Sequence, residues 1–78
     1  MKSYVDFELV EQKPKTDVYR VFARSSLETL GRIYWYFGWR QYVFEPEGET
    51  VWSRGCLKEV MGFIGNLMTE WKNRRKVD

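Results

Sequence analysis

The chain has 78 residues, 13 basic and 11 acidic side chains, a formal net charge of +2, 18% aromatic residues, one cysteine and no histidine. That length supports one domain around one core. The missing histidine removes the commonest general base and metal ligand, and Cys56 alone makes neither an internal disulfide nor a thiolate cluster. The longest apolar run, Ile33-Tyr34-Trp35-Tyr36-Phe37, falls far short of the ~18 residues that span a bilayer. Met1 to Asp6 leads into no apolar segment of the signal-peptide kind. The expectation is a soluble, cytoplasmic, non-enzymatic protein with no cofactor, no metal and no membrane association.

Val5, Phe7 and Leu9 alternate with more polar neighbours, which predicts a half-buried strand over about 4–10. A second strand is predicted over 17–24, where Asp17 to Arg24 is rich in β-branched and aromatic residues before the polar turn Ser25-Ser26. Runs at 29–36 and 39–45 flank Phe37-Gly38 and read as a hairpin, with Gly38 supplying the positive φ of a two-residue reversal. Glu45-Pro46-Glu47-Gly48-Glu49 is an acidic turn. Last comes a helix over about 54–74. Leu57, Val60, Met61, Leu67, Met68 and Trp71 fall within about 60° of Ile64 on a helical wheel. Ser53 is its expected N-cap, and Lys72, Arg74, Arg75 and Lys76 suit the negative end of its dipole. The predicted fold is α+β, an antiparallel sheet of three to four strands packed on one C-terminal amphipathic helix.

A two-residue loop at Phe37-Gly38 sets Tyr36 opposite Trp39, Tyr34 opposite Gln41 and Arg32 opposite Val43 on one face. Trp35 with Arg40, Ile33 with Tyr42 and Gly31 with Phe44 then fall under the helix. The face left to solvent interleaves Arg20, Phe22, Arg24 and Arg32 with Tyr34, Tyr36, Trp39 and Gln41. Residues 18–44 hold four arginines against Glu28 alone. Arg20, Arg24, Arg32 and Arg40, with Tyr34, Tyr36, Trp39 and Gln41, are therefore the candidate site. They suit a nucleic acid, with guanidiniums on phosphate and rings stacked on bases. The alternative is a protein-binding surface, since Trp, Tyr and Arg dominate interface energetics. A second copy of the chain, met through the helix or an edge strand, is a further candidate partner. The plain structural reading is a sheet stabilised by aromatic cross-strand pairs, with Asp6 and Glu8 neutralising Arg20 and Arg24. Phe63, about 100° from the stripe centre, is either a core-edge residue or part of a contact.

Leu30-Gly31-Arg32-Ile33-Tyr34-Trp35-Tyr36, Trp39-Arg40-Gln41-Tyr42-Val43-Phe44-Glu45-Pro46 and Ser53-Arg54-Gly55-Cys56-Leu57-Lys58-Glu59 carry a resemblance. The chain resembles a group of small phage, prophage and microbial proteins sharing the pattern L-G-x-I-x-W-Y, W-R-x-Y-x-F-x-P and S-x-x-C-L-x-E. The resemblance implies a mobile-element setting and no particular mechanism. More loosely, the strand order, the Trp-Arg opening one strand and the following helix are similar to the arm-binding domains of tyrosine recombinases and to plant AP2 domains. That similarity implies a three-stranded sheet laid in the DNA major groove and backed by a helix.

Overall fold

A computed structural model of the chain describes residues 4–77, with side chains to Asn73. The leader reading of residues 1–3 and the side chains of Arg74, Arg75 and Lys76 lie outside the described residues. The order is β1 (Val5–Gln12), β2 (Asp17–Ala23), β3 (Thr29–Tyr36), β4 (Gln41–Pro46) and α1 (Arg54–Val77). The strands form an antiparallel meander in sequence order, and the helix packs on one face, the expected α+β arrangement.

The core is where alternation on the strands meets the stripe on the helix. Val5, Val21, Ile33, Tyr42, Val60 and Leu67 are buried, ringed by Phe7, Tyr19, Trp35, Phe44, Trp52, Phe63 and others. Aromatic stacking does much of the filling. Phe63 lies face to face with Phe7 at 4.0 Å and edge-on to Tyr19 at 4.9 Å, while Trp35 meets Tyr42 at 5.5 Å and Trp71 at 4.6 Å. Phe63 is thus a core residue. Leu57 and Met61 stay 48% and 71% exposed, so the helix is rolled toward Phe63 by roughly 50° from the stripe centred on Ile64. The partners available on the sheet, Phe7 and Tyr19, decide that roll, because stacking on two rings buries more apolar area than a thioether does at the margin.

Two clasps bind the helix to the sheet borders. The Glu59 carboxylate accepts from the backbone N–H groups of Tyr4 at 3.0 Å and Val5 at 3.5 Å. On the opposite border the Tyr42 backbone N–H donates to Met68 Sδ at 3.4 Å. Ser53 caps the helix as expected, its Oγ accepting from the Cys56 N–H at 3.1 Å. Cys56 is half-buried against the core. Trp52 docks edge-on to Phe44 and donates through Nε1 to Thr50 Oγ1 at 2.9 Å. The Asp17 N–H donates to the Tyr42 hydroxyl at 3.1 Å.

The hairpin differs from its sequence reading. The strands are joined by four residues, Phe37 to Arg40, with Tyr36 opposite Gln41, Trp35 opposite Tyr42 and Ile33 opposite Phe44. Its left-handed residue is Arg40, at φ 54°, and no glycine among the described residues has positive φ. Gly38 instead leaves room for the exposed Tyr36 ring, which a Cβ there would approach to 2.7 Å and push aside. The register moves by two residues, which leaves each side chain on its expected face, except that Arg40 and Trp39 leave the ladder for the turn. Pro46 ends β4 at the sheet border, where the missing N–H costs no ladder bond. The strand bounds otherwise differ by at most two residues: β1 runs on to Gln12 and β2 stops at Ala23.

Candidate functional site

The face away from the helix is organised as a transverse row. Glu8 pairs with Arg20, Arg20 with Arg32, and Arg32 with Glu45, one residue from each strand in register. Two guanidiniums side by side repel, and each is turned outward to a carboxylate on the flanking strand. Arg20 Nε donates to Glu8 Oε1 at 2.8 Å, and Arg32 Nη2 to Glu45 Oε1 at 3.2 Å. Arg20 is further held by Thr29 Oγ1 at 2.7 Å and lies over the Phe22 ring at 4.4 Å. Arg32 lies 5.8 Å over Tyr34. Asp6, opposite Phe22, and Glu11, opposite Val18, lie on the same face and add further carboxylates to it. Asp6 itself accepts from the Phe7 N–H at 2.8 Å. Of the two neutralising pairs read from the sequence, Glu8 with Arg20 forms.

The other expected residues separate. Arg24 follows β2 and is exposed at the opposite end of the sheet from Tyr36 and Trp39, roughly 20 Å away by the length of the strand. Arg40, expected opposite Trp35 on the helix side, lies in the β3–β4 turn and lines a concavity there together with Lys13 and Lys15. Tyr34 is half-buried, Tyr36 is 42% exposed and Trp39 68% exposed. The Tyr36 and Trp39 rings meet edge to face at 5.1 Å. Gln41, Tyr36's cross-strand partner, is exposed beside them. These rings frame an open apolar groove of about 260 Å³, floored by Val43 and Phe44 and bordered by Pro46 and Glu45. No cation lines it, and exposed Glu47 and Glu49 follow Glu45 at its end.

Sequence reasoning missed Glu45 as the partner of Arg32, because the shorter loop put Val43 there. It also missed Val43 and Pro46 as groove walls. Among the described residues there is no group of three or more His, Cys, Asp or Glu placed to hold a metal ion. Nor is any helix among them long and apolar enough to cross a membrane. No family model matches the chain, and neither a curated protein nor a solved structure does. The functional reading therefore rests on the geometry.

Proposed function

We propose that the chain is a non-enzymatic binding module whose outer sheet face docks a protein partner. One observation carries the reading: the guanidiniums that would attract phosphate are paired with Glu8 and Glu45, and the aromatic groove beside them is bordered by carboxylate. A phosphate backbone crossing this face would break those pairs and pass Glu45, Glu47 and Glu49. A protein surface has no such cost. Its complement is an apolar side chain for the Tyr34, Tyr36, Trp39 and Val43 groove, flanked by lysine or arginine facing the acidic turn.

Nucleic acid bound across this same face, the leading reading from the sequence, ranks second on these electrostatics. A randomised peptide library panned against the protein separates the two. The expected ligands carry an aromatic or aliphatic residue beside basic ones and shift the amide resonances of Tyr34, Tyr36, Gln41 and Val43. Tyr36→Ala and Trp39→Ala should each weaken them by about 30-fold or more, as hot-spot truncations do. Peptides indifferent to both substitutions, or oligonucleotide-induced shifts at Arg20 and Arg32, would reverse the ranking.

A further inference from the structure

A second concavity lies on the helix side, at the end of the sheet where the β1–β2 turn, the β3–β4 turn and the helix converge. It measures about 620 Å³, within the usual range for ligand sites. Lys13 and Lys15 come from the first turn, Phe37 and Arg40 from the second, Trp35 from β3 and Trp71 from α1. Three cations line it and no carboxylate does. Of these cations, none has an ion pair among the described residues. Its walls are aromatic: Trp35 and Trp71 lie 4.6 Å apart at 32°, and Phe37 is 82% exposed at the rim. Phe37 contributes little to the core, and Arg40 holds a left-handed φ that a non-glycine residue adopts at a cost.

Three unpaired cations along one groove call for an anion. A bare inorganic anion, however, has no use for a mostly apolar wall of three rings. An acidic peptide would match the charge without matching the flat walls. The ligand that satisfies both is a planar heteroaromatic ring joined to phosphate. We propose that this groove binds an unpaired nucleotide, its base against Phe37 and Trp71 and its phosphate among Lys13, Lys15 and Arg40. Duplex does not fit, since its bases are already stacked on one another. The same chemistry is offered by a single strand and by a free nucleoside monophosphate. This site is separate from the outer face and does not depend on the protein partner proposed for it.

The test follows intrinsic tryptophan fluorescence and amide shifts while the protein is titrated with four probes: an eight-residue oligothymidylate, thymidine monophosphate, inorganic phosphate and a blunt DNA duplex. Saturable quenching by the oligothymidylate is expected, with shifts at Lys13, Lys15, Phe37 and Arg40. Binding by the oligothymidylate alone identifies a strand site; equal affinity for the monophosphate identifies a free-nucleotide site. Phe37→Ala should weaken binding roughly five- to 150-fold, the range for loss of one stacking ring. Lys13→Gln with Lys15→Gln should flatten the salt dependence by up to about 0.7 in log–log slope, the contribution of one phosphate. Both changes lie at exposed positions, so circular dichroism should show an unchanged fold. The proposal is overturned by no quenching with either nucleotide probe, by inorganic phosphate or duplex binding as well as the oligothymidylate, or by affinity unchanged in Phe37→Ala.

Discussion

Replacing Glu8 and Glu45 together by glutamine tests whether those carboxylates hold the outer face neutral. Arg20 is only 28% exposed and keeps its bond to Thr29, so loss of the Glu8 pair belongs toward the upper part of the 0.2–1 kcal/mol typical of exposed ion pairs. Arg32 and Glu45 are both more than half exposed, and that pair belongs toward the lower part. The sum is about 1 kcal/mol, a fall in Tm of roughly 4–8 °C for a domain of this size. The electrostatic consequence is larger. The face loses two negative charges, and two adjacent guanidiniums are released. If they contact phosphates, duplex DNA binding should appear with a log–log salt slope about 1.8 steeper than wild type. Fluorescence anisotropy across a salt series measures it, and Glu47→Gln with Glu49→Gln is the control, having the same change in net charge without freeing an arginine. A folded double variant that binds DNA no better than this control would refute the idea that Glu8 and Glu45 restrain Arg20 and Arg32.

Two further predictions concern the scaffold. Gly31→Ala should destabilise by about 1–3 kcal/mol in urea unfolding, because a Cβ there would lie 2.6 Å from both the Glu45 carbonyl oxygen and the Phe44 ring; an unchanged midpoint would contradict this close approach. Phe63→Ala should cost about 3 kcal/mol through loss of its stacks on Phe7 and Tyr19, whereas Met61→Ala should stay within about 0.5 kcal/mol. Equal effects at the two positions would refute the helix roll.

Much of the fold was legible because it rests on short-range periodicity. Val5 and Phe7 alternate with acids, Val60, Ile64 and Leu67 recur at helical spacing, and Ser53 stands where the helix begins. Those signals fixed strand faces, helix extent and the N-cap. The helix roll was less legible, since Met61 stands at one edge of the stripe and Phe63 just beyond the other, and only the rings opposite decide between them. The hairpin loop was misread because Gly38 invites positive φ, while the residue that adopts it is Arg40. The error spared the faces and moved the partners. It hid the match of Arg32 with Glu45, on which the charge of the candidate surface turns. The groove at the sheet end draws on residues 13 to 71, and no local pattern joins positions so far apart.

The borders of the sheet bear on how this protein meets others. β1 bears Asp6, Glu8 and Glu11 and a register irregularity between Leu9 and Glu11, so an incoming strand would face clustered negative charge and an interrupted row of donors and acceptors. On the far border the Met68 thioether already occupies the Tyr42 amide, and Pro46 offers no amide at all. Growth by strand addition, whether into a dimer or toward a fibril, is hindered on both sides, which leaves association to the broad surfaces and their aromatic ends.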